Sequence, residues 1–250
     1  MPAMNASNRC VEPEVLDALD ADDPRGRRSR GDLRRIHRAM RSVSHLTRTV
    51  AALRLAAPPR RLLELGAGDG SLLLRFARAL RPRWTDVELT LLDRVDLVSR
   101  RTRDGYRALG WRLSVERAEA AAWLSDLPDP PFDLCIANLF LHHFEVAPLA
   151  ALLRSVARST EAFVACEPQR NAAARVGSRL VVLLGANAVT REDAVKSVAA
   201  GFSGHELSTA WASAEGTWRT EEFSALPFTH CFAAVRAGPA DRGPAEREWS

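Results

Sequence analysis

The sequence predicts an α/β fold in which a doubly wound, mostly parallel sheet is covered by helices on both faces. Short apolar segments with strand character alternate with helix-like segments between residues 61 and 168. The first of these strands runs into a turn with glycines at alternate positions, Gly66, Gly68 and Gly70. Right-handed crossovers place the carboxyl ends of parallel strands along one edge of the sheet, so a ligand site is expected there.

Seven strand-like segments are expected, and they comprise residues 61–65, 88–92, 112–117, 132–137, 162–166, 218–226 and 229–235. The helices predicted between the first five strands comprise residues 71–80, 97–109, 118–124 and 146–159. After Pro168 the alternation stops, and two further helices are predicted at 171–187 and 191–201. The two terminal strands then follow one another closely around Pro227, which favours a hairpin.

The regions outside this alternation differ in composition. Residues 1–31 are rich in Pro, Gly, Asp and Arg, and we expect a flexible segment. Asp32 is suited to cap a helix, and apolar residues then recur at steps of three and four, which predicts a helical region over 32–57. Residues 237–250 form a Gly-, Pro- and charge-rich tail that is predicted to be disordered.

The composition excludes several classes of protein. No apolar run approaches the roughly 18 residues of a membrane span, and the N-terminus lacks a signal-peptide pattern, so a cytoplasmic location is expected. The four cysteines form no CxxC pair, which favours reduced core thiols over disulfides or metal ligands, and no metal site is predicted. The net charge of +4 comes from arginine, but an acidic block at 12–23 precedes the arginine-rich block at 25–41. A solvated helix face is therefore favoured over a nucleic-acid surface.

Two alternative classes of ligand, a dinucleotide or an ammonium-bearing cofactor, could bind at the glycine turn. A dinucleotide fold requires GxGxxG, but Ser71 stands where the third glycine of that pattern would be. The acidic residue Glu64 just before the turn suits an ammonium group better than a phosphate, which prefers helix N–H groups without a nearby anion. Asp93, at the end of the second strand, has a carboxylate that can accept hydrogen bonds from both hydroxyls of a ribose.

On these residues the chain resembles the class I S-adenosylmethionine-dependent methyltransferases, over about residues 60–236. Four motifs occur in the family's order: the turn at 64–70, Asp93, the Arg-Ala-Glu-Ala stretch at 117–120, and the fourth strand with its loop at 132–144. The resemblance implies a Rossmann-like seven-stranded sheet whose terminal strands form an antiparallel hairpin, with S-adenosyl-L-methionine as cofactor. It implies cofactor contacts from Glu64, Gly66, Ala67, Gly68, Gly70, Asp93, Arg94, Ala118, Glu119, Asn138 and Leu139.

The loop after the fourth strand limits the class of acceptor that the resemblance implies. Enzymes that methylate base amines or glutamine amides typically carry Asn/Asp-Pro-Pro-aromatic there, whereas Asn138 is followed by Leu-Phe-Leu-His-His. The chain is most similar to quinone- and polyketide-tailoring methyltransferases, which often share a Pro-Glu-x-Leu-Asp-like N-terminus, as at 13–17. The resemblance implies a methyltransferase domain at 58–236, with helical caps at 32–57 and 171–203, and a small-molecule acceptor. A homodimer is possible.

Deprotonation of a phenol or enol acceptor would be helped by a base that titrates near neutrality. His142 and His143 lie just beyond the ligand edge of the fourth strand and are the candidates, although they could instead only close the cofactor loop. Glu167 could face the acceptor or end a strand, and His230 is expected to be structural. Oxygen, carbon and nitrogen methylation stay open, as do a non-catalytic cofactor-binding protein, an RNA methyltransferase and a nicotinamide-dependent oxidoreductase.

Overall fold

A computed structural model describes residues 9–81, 83–126 and 132–237, and within these ranges seven strands form one sheet. The strands are β1 (Arg61–Leu65), β2 (Glu88–Asp93), β3 (Arg112–Arg117), β4 (Leu134–Asn138), β5 (Ala162–Pro168), β6 (Trp218–Ala225) and β7 (Thr229–Arg236). Their order across the sheet is β3-β2-β1-β4-β5-β7-β6. The strands β1 to β5 are parallel, whereas β7 is antiparallel to both β5 and β6. The predicted Rossmann-like sheet with an antiparallel hairpin is thereby confirmed.

Nine α-helices lie within the described ranges. They are α1 (Pro24–Ala39), α2 (Ser42–Ala52), α3 (Ser71–Leu80), α4 (Arg100–Arg107), α5 (Ala120–Ser125), α6 (Val146–Ser159), α7 (Ala172–Arg179), α8 (Ala188–Ala200) and α9 (Glu206–Trp211). None of these helices combines the length and apolarity that crossing a bilayer requires.

Helices cover both faces of the sheet. Successive residues of a strand point to opposite faces, so neighbouring residues belong to different cores. Leu62 belongs to the apolar core that includes residues of α2, α3 and α4, and its neighbour Leu63 belongs to the core formed with α5, α6 and α9. Both leucines are fully buried. The central strands β1, β4 and β5 are buried almost throughout, and the carboxyl ends of the parallel strands lie at one edge of the sheet.

Three helical regions differ from the prediction. The N-terminal helix begins at Pro24 rather than at residue 32, because Asp23 caps it by accepting a hydrogen bond from the Arg25 N–H at 2.7 Å. Asp32 does not cap a helix: it is buried inside α1 and accepts a hydrogen bond from the N–H of Asn187 at 2.7 Å. The expected helix 171–187 divides into α7 and a 3₁₀ segment, Leu180–Leu184, which ends at Gly185 with a φ of +75°. The short helix α9 was not predicted.

The first described residues lie against α8 and the loop after β4. Arg9 donates hydrogen bonds from its guanidinium to the carbonyls of Ala200 (2.9 Å) and Phe144 (3.1 Å). The N–H groups of Val15 and Leu16 donate to the carboxylate of Asp193, at 2.7 and 3.0 Å. The prediction of a flexible segment missed these contacts because their partners lie up to 191 positions away in sequence. The predicted disordered tail lies outside the described residues, apart from Ala237.

Candidate active site

The glycine turn after β1 is a tight loop in which each glycine has a positive φ, at +64°, +54° and +66° for Gly66, Gly68 and Gly70. A Cβ atom on Gly66 would lie 2.4 Å from a ring carbon of Phe140, so this glycine permits a close contact with the loop after β4. A Cβ atom on Gly68 would meet nothing within 4 Å. The turn is therefore packed at Gly66 and open at Gly68, where a ligand can approach the backbone.

Asp93 joins the glycine turn to the end of β2. Its Oδ2 accepts a hydrogen bond from the Gly68 N–H at 2.8 Å, and its Oδ1 accepts one from the Val95 N–H at 3.1 Å. The N–H of Ala118 donates to the Asp93 carbonyl at 3.1 Å, which brings the start of the next loop to the same place. A carboxylate oxygen can accept more than one hydrogen bond, so Asp93 keeps capacity for a diol.

Glu64 is a buried acid at the carboxyl end of β1, with 3 % of its surface exposed. Its Oε2 has no hydrogen-bond partner among the described residues. Burial raises the pKa of Glu64 well above its usual range, and the negative charges of Asp69 and Asp93 raise it further. A buried carboxyl group in this position lacks a cation, and an ammonium group at the open side of the turn would supply one. The site thus fits an amino-acid-bearing cofactor.

Arg94 and Glu119 have their side chains engaged by other partners. The guanidinium of Arg94 forms an ion pair with Asp17 at 3.2 Å. The carboxylate of Glu119 caps α5 by accepting a hydrogen bond from the Ala122 N–H at 3.0 Å. Both residues therefore lie at the predicted edge, but the structure directs neither side chain to the glycine turn.

The loop after β4 is anchored by Glu167, a fully buried residue of β5. Its Oε1 accepts hydrogen bonds from the N–H groups of Phe140 and Leu141, at 3.0 and 2.9 Å, and its Oε2 lies 2.8 Å from Nδ1 of His142. Burial would raise the pKa of Glu167, but the hydrogen bond and charge of His142 and the two backbone donors hold it below its usual range. Glu167 therefore positions the loop and does not face an acceptor.

The backbone of this loop is constrained where it leaves the sheet. Asn138 is buried at the end of β4, and Leu139 has a φ of +52°. The Leu139 N–H donates to the carbonyl of Cys166 at 2.9 Å, which fixes the loop to β5. Phe140 then packs against Gly66, so the two predicted cofactor loops are in direct contact.

His142 is buried between two carboxylates. Its Nε2 lies 3.4 Å from Oε1 of Glu14 in the N-terminal segment, and its Nδ1 faces Glu167. Burial would lower the pKa of His142, but the hydrogen bonds and charges of Glu14 and Glu167 outweigh it and raise the pKa to about 9. His142 is therefore an imidazolium at neutral pH. Glu14 lies in the family-like stretch 13–17 and was not among the predicted site residues.

His143 has the opposite electrostatic environment. Burial and the charge of His142 lower the pKa of His143, although Glu14, Asp17 and Glu167 act in the other direction. Its side chain is 27 % exposed, and its Nδ1 lies 3.7 Å from Oδ2 of Asp17. His143 is consequently the neutral member of the histidine pair at neutral pH and can accept a proton.

Donor atoms of Glu14, His142 and His143 lie within 4.8 Å of one another, a spacing that metal ligands also show. Both ring nitrogens of His142 already face carboxylates. A protonated imidazole, which donates a hydrogen bond from each nitrogen, satisfies both carboxylates.

Two further histidines, His230 and His205, lie apart from this pair. His230 is buried and its Nε2 lies 2.6 Å from Oε1 of Glu222, which makes it structural. His205 is exposed at the start of α9.

Comparison with known proteins gives a family for the central part of the chain. Residues 62–162 match the model of a family described as a methyltransferase domain. A comparison with curated proteins found no match.

Solved structures share the fold. The plantazolicin methyltransferase BpumL, in complex with a triazolic desmethyl analogue and S-adenosylhomocysteine, is 14% identical with a TM-score of 0.62, over 86% of this chain and 92% of that one. A candidate O-methyltransferase from Nostoc punctiforme PCC 73102 is 16% identical with a TM-score of 0.54, over 79% of this chain. This chain spans 56% of that protein's length. The magnesium protoporphyrin IX methyltransferase from Synechocystis PCC 6803 is 12% identical with a TM-score of 0.51, over 89% and 91% of the two chains.

Proposed function

We propose that the chain is a class I S-adenosylmethionine-dependent methyltransferase, as the methyltransferase-domain match over residues 62–162 supports, and that it methylates a phenolic, quinol or polyketide-like small molecule on a hydroxyl oxygen or an activated carbon. The observation that carries this proposal is the neutral, partly exposed His143 on the loop that packs against the glycine turn. Such a base suits an acceptor whose proton is lost near neutral pH.

The cofactor would be held by residues of the carboxyl edge. The buried carboxyl group of Glu64 is placed to pair with its ammonium group, and the open backbone at Gly68 leaves room for its methionine part. The carboxylate of Asp93 would accept hydrogen bonds from the ribose hydroxyls, and Ala118 and Asn138 would line the remaining edge. Bound S-adenosylmethionine supplies an electrophilic methyl group on a sulfonium, and the protein's part is alignment and proton removal.

The acceptor's proton would move to His143. The carboxylate of Asp17 lies 3.7 Å from Nδ1 of His143, and its negative charge would favour a proton on that nitrogen, so that Nε2 would be the accepting atom. His142 stays protonated between Glu14 and Glu167, and its charge keeps His143 neutral. The helical regions 32–57 and 171–203 would cover the acceptor as caps around the domain at 58–236.

The structural relatives support the coarser part of the proposal, a small-molecule acceptor. Two are described as methyltransferases of plantazolicin and of magnesium protoporphyrin IX, and a third is a candidate O-methyltransferase. Transfer of this specificity to the present chain is part of the proposal, as are the cytoplasmic location and the possible homodimer.

The first test is calorimetric titration with S-adenosylhomocysteine, with NADH as the control ligand. We expect micromolar binding of the former and none of the latter. The substitutions Gly68→Val and Asp93→Ala should abolish binding while the far-UV circular dichroism is unchanged. Normal binding by both variants would refute the assigned cofactor site.

The second test is turnover with a panel of phenols, quinols and polyketide-like acceptors. His143→Gln should lower kcat by about 10²- to 10⁴-fold without changing cofactor affinity, whereas His205→Gln, at an exposed histidine, should be silent. Cofactor binding without turnover on any acceptor would favour a non-catalytic regulatory protein. Methylation of RNA in place of small molecules would favour an RNA methyltransferase.

A further inference from the structure

The end of α7 and the 3₁₀ segment that follows it present apolar side chains to solvent. They belong to the 3₁₀ segment and the helix before it, and we refer to them as the apolar tip: Val176 (58 % exposed), Leu180 (51 %), Val182 (42 %), Leu183 (79 %) and Leu184 (39 %). Single exposed apolar residues are common in soluble proteins, but a contiguous group of this kind marks an interaction surface.

The apolar tip is held in place by α1. The Nε of Arg35 donates to the Leu184 carbonyl at 2.9 Å, and its Nη2 donates to the Gly185 carbonyl at 3.1 Å. The buried Asp32 accepts the N–H of Asn187 at 2.7 Å, and Asn187 in turn caps α8. The exposed leucines are therefore presented by a fixed turn.

Positive charge borders the apolar tip. A groove of about 390 Å³ between α7 and α8 is lined by Arg179 and Arg191, together with Ser178, Ala188, Glu192 and Val195. The acidic member, Glu192, forms an ion pair with Lys196 at 2.8 Å. Exposed arginines continue on α1, which packs against both α8 and the 3₁₀ segment.

We propose that the apolar tip and this groove dock the protein on an anionic phospholipid bilayer. The leucines would enter the boundary between headgroups and acyl chains, and Arg179 and Arg191 would bind lipid phosphates. This combination of an inserted apolar turn and flanking arginines is how proteins lie on anionic membranes. A symmetric contact with a second copy is disfavoured because it would bring the arginines of both copies together, and a nucleic acid would make no use of the leucines.

Helix α1 contacts both the apolar tip and the glycine turn. Arg34, the neighbour of Arg35 on α1, forms an ion pair with Asp69 of the glycine turn at 3.0 Å. One helix thus joins the apolar tip to the cofactor edge, and an apolar acceptor dissolved in the bilayer could enter beside it. Only this last step rests on the proposed function, since docking itself requires neither cofactor nor acceptor.

The test is flotation of the full-length protein with vesicles of phosphatidylcholine alone or of phosphatidylcholine mixed with phosphatidylglycerol, without cofactor. We expect binding to the mixed vesicles that weakens at high salt. Leu180→Ser/Leu183→Ser should lower partitioning by about tenfold or more, and Arg179→Glu/Arg191→Glu should remove the preference for anionic lipid. Val146→Ser, at a residue 72 % exposed on α6, is the matched control and should bind as the wild type does.

Thermal unfolding and S-adenosylhomocysteine binding of each variant establish that it is folded. Absence of wild-type binding to anionic vesicles would overturn the proposal, as would equal binding by the Leu180/Leu183 variant. A dimer that dissociates in this variant would show that a second copy covers the apolar tip. Salt-sensitive binding of RNA, lost in the Arg179/Arg191 variant but kept in the leucine variant, would assign the groove to nucleic acid instead.

Discussion

Removal of the proton from His142 should destabilise the protein at alkaline pH. His142 is the cation between the partly buried carboxylate of Glu14 and the buried carboxylate of Glu167, and the pKa of His142 is raised from 6.5 to about 9. Because the pKa is higher in the folded protein than in the unfolded chain, the stabilisation is fully present below about pH 6.5. It is lost as the pH rises through about 9.

The size of the effect follows from the pKa difference. Each unit of difference between the folded and unfolded pKa contributes about 1.4 kcal/mol to the free energy of unfolding. The difference for His142 therefore corresponds to about 3 kcal/mol, a large part of the 5–15 kcal/mol that is typical of folded domains. Its loss should be visible well before global alkaline denaturation.

The assay is urea unfolding between pH 6 and pH 9.5, followed by tryptophan fluorescence, for the wild type and for His142→Gln. Glutamine keeps a hydrogen-bond donor but carries no titratable proton. The wild type should be the more stable at pH 6, and the gap in the free energy of unfolding should shrink by about 3 kcal/mol by pH 9.5. Titrating groups that do not interact with His142 cancel because both proteins contain them in the same surroundings.

Parallel pH profiles for the two proteins would refute the reasoning. They would mean that His142 is neutral in the folded protein and that its carboxylate partners take up the proton instead. A gap that widens with pH would reverse the sign and would show that the pKa of His142 is lowered by folding.

Three further changes have defined outcomes. Gly66→Ala should cost about 3 kcal/mol or more in urea unfolding, because its Cβ would lie 2.4 Å from Phe140, whereas Gly110→Ala, at a similar φ in open space, should cost about 1–2 kcal/mol. Binding of S-adenosylhomocysteine should release a proton from Glu64, measured calorimetrically in buffers of different ionisation enthalpy, and Glu64→Gln should abolish the release. Trp211→Ala should cost about 3–5 kcal/mol, because the ring is buried and stacked in the core.

Each of these has a contradicting result. Equal destabilisation by the two glycine substitutions would show that Phe140 moves away freely. Proton release that persists in the Glu64 variant would assign the proton to another group. A tryptophan variant with near-wild-type stability would mean that α9 packs loosely on the sheet.

Local patterns in the sequence predicted much of the fold and of the cofactor edge. Strand β1, the glycine turn and Asp93 form a short stretch whose conformations follow from residue type, and parallel topology then joins them. The link between Glu14 and His142 spans 128 positions, and no local periodicity reports it. The end of α7 was missed for a different reason: its apolar residues continue into the 3₁₀ segment, and only the backbone at Gly185 reveals the break.

The position of β7 has a consequence for biogenesis. This strand follows β6 in the chain and is the last of the seven described strands, yet it lies between β5 and β6 and is hydrogen-bonded to both. A nascent chain that stops before Thr229 would leave the edge of β5 unpaired and β6 with no partner, and exposed strand edges promote association between chains. The sheet is therefore complete only once β7 has inserted between β5 and β6, and until then the open edge of β5 is available for association with another chain.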